Sequence, residues 1–367
     1  MSNVKAFFSA HYQEARHKFR EAAIRVGAKP LQYRHCGFGP NGEELTTDVA
    51  LVGDIALPNL VIVTAGLHGV EGFCGSGCLI GILEQRLLAE RNGDTAVLLV
   101  HALSPHGFAY LRRVDECNVD LNRNFIDHAK PLPRNDEYRK LHDLVVPQCW
   151  EGPSRETAEV AIRSYVEQNG HQAFISALTK GQYEFPDGMF FGGLSPAFSN
   201  MLWRRLLKLY DSQHERICVI DVHSGLGPRG YGEIQFEGRS SDLESMQAQA
   251  WYRNEVTVPD NGSSSSAALT GYSAVAVAET LPRAERICVT LEFGTQELEQ
   301  VLCALRGDHW LHAKAPNDEL LRREIKQGIR NAYYCDDGVW KLDVVGRAAE
   351  VFISSLRGIG GRPSRNV

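Results

Sequence analysis

Residues 60–63, Leu-Val-Ile-Val, are apolar at every position and mostly β-branched, the pattern of a strand buried on both faces. The run breaks at Gly66 into a short loop that sets His68 three residues before Glu71. If a helix begins there, the two side chains share a face. An imidazole nitrogen and a carboxylate oxygen at the C-terminal end of a strand are two of the three protein ligands an open zinc site requires.

The flanking segments point to an α/β chain. Residues 73–88 read as a helix carrying Leu79, Ile80, Ile82, Leu83 and Leu87, and residues 96–103 as a second buried strand. Strand, helix, strand in that order implies a right-handed crossover and a largely parallel sheet. Residues 217–222 and 287–293 are two more strands, stopped by His223 and Gly294, and 33–36 with 46–52 flank a Gly-Pro-Asn-Gly-Glu turn that predicts a hairpin.

Residues 4–27 predict one N-terminal helix with Phe8, Tyr12, Ala15, Phe19, Ala22 and Val26 on its buried face. His11 and Glu14 within it repeat the His-x-x-Glu spacing, but no strand or glycine turn precedes them, so they read as solvated helix residues. A helical insertion is predicted over 126–215, with helices at 155–168, 171–179 and 196–211 and a glycine-rich aromatic loop at 182–193 that suits a pocket wall, a lid or plain packing. Residues 269–281 read as a loop over the sheet, and 296–306, 318–331 and 338–356 as helices. The expected fold is a three-layer α/β/α sandwich around a mixed, largely parallel sheet, in one domain over 1–367.

Net charge is −6, with acids and bases interleaved. Nothing resembles the basic footprint of a nucleic-acid or anionic-membrane binder, so a small molecule or peptide is the expected partner. No signal-peptide pattern and no apolar run near ~18 residues is present, which predicts an unexported, cytoplasmic protein. The nine cysteines follow no disulfide framework; Cys74 and Cys78, one helical turn apart, read as small apolar packing residues.

His68, Glu71, His223 and Glu292 all fall at or just past predicted strand ends, the edge at which open α/β sheets bind ligands. His223 completes a His, Glu, His set for one zinc ion, leaving a fourth position for water. Glu292, inside the apolar Val-Thr-Leu-Glu-Phe-Gly, needs a partner, and taking the proton of a metal-bound water would supply one. Arg113 can steady a developing oxyanion, Asn122 and Arg123 can hold a substrate carboxylate, and Asp120 can orient a ligating histidine.

Taken together, Leu-His-Gly-Val-Glu-Gly (67–72), Ser-Pro-His-Gly (104–107), Asn-Val-Asp-Leu-Asn-Arg-Asn-Phe (118–125), Asp-Val-His-Ser (221–224) and Thr-Leu-Glu-Phe-Gly (290–294) resemble the zinc carboxypeptidases of the carboxypeptidase A type and their relatives, the succinylglutamate desuccinylases and aspartoacylases. The resemblance implies zinc on His68, Glu71 and His223, Asp120 orienting His68, carboxylate recognition by Asn122 and Arg123, oxyanion support from Arg113 and Glu292 as general base. It also suggests Tyr272 as a substrate contact. The short spacing from Pro105 through Arg113 to Arg123 is closer to the desuccinylase and aspartoacylase branch, so cleavage of a peptide C-terminus and of an N-acyl amino acid both stand. From other classes come a zinc-binding module without catalysis and a serine hydrolase using Ser76, the latter lacking a Gly-x-Ser-x-Gly elbow.

Overall fold

A computed structural model of the chain describes residues 4–210, 214–267 and 269–361. The first half runs α1 (Tyr12–Arg25), β1 (Leu31–Phe38), β2 (Glu44–Val52), β3 (Asn59–Ala65), α2 (Gly72–Glu84), β4 (Thr95–His101), α3 (Pro105–Ala109), α4 (Asp136–Val145), α5 (Pro153–Asn169), α6 (His171–Thr179) and α7 (Phe198–Leu209). The second runs β5 (Arg216–Arg229), β6 (Gly232–Phe236), α8 (Leu243–Trp251), β7 (Val256–Thr257), α9 (Ser273–Thr280), β8 (Glu285–Gly294), α10 (Leu298–Lys314), α11 (Glu319–Tyr333) and α12 (Gly338–Gly360).

The four apolar runs become the adjacent parallel strands β4, β3, β5 and β8, at the centre of a mixed sheet ordered β1-β2-β4-β3-β5-β8-β6-β7. Alternation of side chains across the pleat sends Val61, Val63, Ile220 and Val289 to a large core built with α1, α2, α10 and α12. Leu60, Ile62, Ile217, Val219 and Cys288 go to a smaller core under α7 and α9. The result is three layers, and every residue of β3 and β4 is buried.

The same alternation fixes where the polar ends of these strands point. Thr64 continues the Leu60–Ile62 face, Asp221 and His223 continue that of Ile217 and Val219, and Thr290 and Glu292 that of Cys288. All therefore lie on the α7/α9 side, at the C-terminal edge. Register brings them level: Asp221 opposes Thr64 and Thr290, and His223 opposes Glu292.

Several local expectations are corrected. The N-terminal stretch is a short 3-10 turn, Val4–Phe7, followed by α1. His11 is extended and caps α1: its Nδ1 accepts from the Glu14 N–H at 3.2 Å, while Glu14 Oε2 accepts from the Ala10 N–H at 2.7 Å. The two residues thus cap the start of α1, His11 through Glu14 N–H and Glu14 through Ala10 N–H. The predicted 73–88 helix ends at Glu84, before left-handed Arg86 (φ 56°). Strand β5 does not stop at His223 but continues to Arg229 through a register shift after Ser224. Residues 273–280 of the expected 269–281 loop are helix α9, and α4, α8, β6 and β7 were not anticipated. Asp211, the last residue of the predicted 196–211 helix, lies outside the described residues.

Candidate metal centre

Gly66 turns the chain at φ 67°, and His68 then precedes a 3-10 turn, Gly69–Glu71, so His68 and Glu71 leave it side by side. Two glycines set this turn against the next strand's loop. A Cβ on Gly69 would stand 2.1 Å from the Gly107 carbonyl carbon, a separation only hydrogens permit. The Gly69 and Val70 N–H groups donate to the carbonyls of Arg113 and Arg112, which ties the turn to the segment bearing Arg113 and Asp120.

His68 Nδ1 lies 2.9 Å from Glu71 Oε1, and His223 Nδ1 lies 2.8 Å from Glu71 Oε2 and 3.1 Å from His68 Nδ1. All three residues are at most 2% exposed. Each imidazole has a carboxylate at its far side: His68 Nε2 is 3.2 Å from Asp120, and His223 Nε2 is 3.1 Å from Asp221. Asp221 is itself held by the hydroxyls of Thr64 (2.5 Å) and Ser273 (3.1 Å). Inward Nδ1 atoms backed by outward carboxylates are the donor arrangement that suits zinc.

Glu71, Asp120, Asp221 and Glu292 surround the cluster, together with the guanidiniums of Arg113 and Arg123. Burial opposes the charge of Glu71, yet His68 and His223 hold it well below the usual carboxylate range. Burial likewise works against the imidazolium of His223, but Asp221 and Glu71 raise it well above the ordinary histidine value.

Glu292 stands beside this cluster without belonging to it. Its Oε1 accepts from the Leu226 N–H at 3.0 Å, a donor turned toward it by the bulge in β5. Burial, then the charge of Glu71, pushes Glu292 up to about 8; a cation at the His–Glu–His set would act in the opposite sense.

Arg113 donates to Glu71 (2.8 Å) and Asp120 (3.0 Å). Arg123 is 2% exposed, and its fork is largely committed: Nε and Nη2 reach the Thr179 carbonyl, and Nη1 that of Asn122 (3.0 Å). Two of its five N–H groups remain for another acceptor. Asn122 is half-buried, and its Oδ1 accepts from the Ser273 N–H. With Tyr272 they line a cavity of about 590 Å³ that also contains His68, Glu71, His223 and Glu292. Phe190, from the aromatic loop, walls the cavity 5.7 and 5.4 Å from the Arg113 and Arg123 guanidiniums.

Sequence reasoning passed over Asp221, although its place two residues before His223 on a strand puts both on one face. It also missed Tyr333 and Glu237, which line the cavity from α11 and from the end of β6; nothing local marks them. Ser76 lies elsewhere. Its hydroxyl is 2.9 Å from His101 Nε2, but both are buried in the core and neither lines the cavity, so that pair meets no substrate. Cys74 and Cys78 are buried free thiols.

Residues 8–347 match the family described as "Protein of unknown function (DUF2817)". The chain belongs to that family. No curated protein matches this DUF2817 member. Among solved structures it is similar to the carboxypeptidase A of Helicoverpa armigera, at 13% identity over 95% of this chain and 76% of that one, with a TM-score of 0.48. It is also similar to bovine thrombin-activatable fibrinolysis inhibitor (12%, 95% and 99%, TM-score 0.44) and a metallo-carboxypeptidase from Burkholderia cenocepacia (10%, 94% and 68%, TM-score 0.43). No described helix is long and apolar enough to cross a membrane.

Proposed function

We propose that this protein is a zinc-dependent hydrolase that cleaves an amide bond next to a free carboxylate, either a peptide C-terminus or an N-acyl amino acid. The observation that carries the reading is the convergence of a buried His68–Glu71–His223 set with a separate buried carboxylate, Glu292, in one cavity. A metal held only for stability has no use for that fourth group or for the open space beside it.

Zinc bound by His68 Nδ1, Glu71 and His223 Nδ1 would supply Lewis acidity toward water and the scissile carbonyl. Asp120 and Asp221 fix the two imidazoles with Nδ1 inward. Glu292 takes the proton of the attacking water and passes it to the leaving nitrogen. The two N–H groups of Arg123 left free by Thr179 and Asn122 would take the substrate carboxylate, with the Asn122 amide beside them. Arg113, held at the cavity wall by Glu71 and Asp120, would donate to the oxygen on which charge develops.

The test is Glu292→Gln on zinc-loaded protein, assayed on C-terminal dipeptides and N-acyl amino acids with a chelator control. Turnover is expected to fall at least ~100-fold with zinc stoichiometry unchanged. Turnover near the wild-type rate would remove Glu292 from the reaction. Arg123→Ala is expected to raise KM for carboxylate-bearing substrates, and indifference to that carboxylate would remove the clamp.

A further inference from the structure

We propose that Phe190 is a positioning residue: its ring, held in place by a strained backbone, sets the Arg113 and Arg123 guanidiniums toward the charged oxygens of the substrate. This rests on the hydrolase reading above and on its carboxylate clamp.

Phe190 has φ 51°, in the left-handed region that a bulky side chain rarely adopts. Its neighbours hold it there. The Met189 N–H donates to the Tyr138 hydroxyl at 2.6 Å, the Phe190 carbonyl accepts from the Gln182 N–H at 3.1 Å, and the Phe191 carbonyl accepts from the Asp120 N–H at 2.8 Å. Gln182 is buried and ties the loop together from within. Its Oε1 accepts from the N–H groups of Glu184 and Phe185, and its Nε2 donates to the Phe185 carbonyl at 2.8 Å. Backbone strain persists only where the surroundings impose it, and it gathers at sites that meet ligands.

The ring is buried and lines the cavity, its centroid 5.7 Å from the Arg113 guanidinium and 5.4 Å from that of Arg123. At that separation an aromatic face attracts a cation. Arg123 meets the same segment again where α6 ends. The Thr179 carbonyl accepts from its Nε at 2.9 Å and from its Nη2, a Cβ on Gly181 would stand 2.8 Å from its Cδ, and the Tyr183 hydroxyl donates to its carbonyl at 2.5 Å. Its head, stem and backbone are thus each met by residues between 179 and 190, and the ring carries that control across to Arg113. One side chain thereby governs both groups assigned above to the substrate carboxylate and to the developing oxyanion.

The experiment compares zinc-loaded full-length wild type, Phe190→Leu and Phe190→Tyr on benzoylglycyl-leucine and N-acetyl-leucine, each with its C-terminal amide as control. A ring that only fills space would slow acid and amide alike when shortened to leucine, whereas one that aims two cations changes the charge the cavity accepts. Phe190→Leu should therefore raise KM for the acids and lower the acid-to-amide ratio in kcat/KM at least ~5-fold, while Phe190→Tyr, which keeps the aromatic face, stays within ~2-fold of wild type. Phe190→Met, apolar and of similar volume, stands in if the Leu variant does not fold. A ratio unmoved by Leu, or lowered as much by Tyr, overturns the positioning role while leaving the hydrolase intact. Calorimetric titration with N-benzoylglycine and its amide separates the two readings. A preference for the acid that is lost in Phe190→Leu, with no substrate cleaved, keeps the role of Phe190 and removes the hydrolase. If wild type binds the acid no better than the amide, the role of Phe190 falls whatever is cleaved.

Discussion

Replacing Asp221 with Asn tests the metal centre without touching a ligand. Asp221 lies 3.1 Å from His223 Nε2 and is fixed by Thr64 and Ser273, so the change removes one charge-assisted contact while the amide can keep much of the surrounding geometry. Loss of a carboxylate behind a ligating histidine typically weakens metal binding by about 10–100-fold. Zinc affinity, read by competition with a chromophoric chelator, is expected to fall within that range. Thr64→Val, which frees one end of Asp221, should give a smaller loss. Metal and proton also compete for His223 Nδ1. Because Asp221 and Glu71 raise that histidine's proton affinity, wild-type zinc affinity should weaken as pH falls through the raised value, and Asp221→Asn should move that fall to lower pH. An affinity within twofold of wild type and an unmoved pH profile would show that Asp221 does not act through His223.

Gly69→Ala should destabilise the fold by roughly 1–3 kcal/mol or more, because its Cβ would meet the Gly107 backbone at 2.1 Å; an unchanged melting temperature would contradict that close approach. Acid should weaken the zinc-loaded fold well above carboxylate pH. Burial pushes His101 down to about 4 and His309 to about 3, whereas an unfolded histidine titrates near 6.5. Between these values the unfolded chain binds more protons, so stability falls as pH drops from about 6.5 and levels off near the folded values. For His101 the loss is up to roughly 3 kcal/mol. Urea midpoints at pH 7, 6 and 5 check it; a flat profile, or one unaffected by His101→Gln, would refute the assignment.

The central strands were legible because a strand buried on both faces must be apolar at every position, and β3 and β4 meet that condition throughout. The edge was not. Strand β6 alternates Glu233 and Gln235 with Ile234 and Phe236 over only five residues, and its polar side chains are satisfied by Thr257 and Ser265 from distant segments. Helix α9 has a short Ala- and Val-rich sequence without a side-chain cap, so its helicity comes from packing on the smaller core. At the N-terminus the apolar spacing was visible, but the break at His11 depends on a cap formed with Glu14.

The site divides along the same line. Gly66, His68 and Glu71 are neighbours in the chain, and local geometry is enough to set an imidazole and a carboxylate side by side at the end of a strand. His223 and Glu292 could be placed at strand ends because each terminates an apolar run. That His223 faces Glu292 across adjacent strands depends on register, and that Asp120 and Asp221 back the two imidazoles depends on loops meeting through Gly69 and Gly107 and on α9 lending Ser273. The neighbours of Glu237 are likewise a product of β6 pairing with β8. A chain can specify residue type and local spacing through short-range sterics, but the charge around a buried group is the sum over every segment folded against it, and only the assembled layers define that sum.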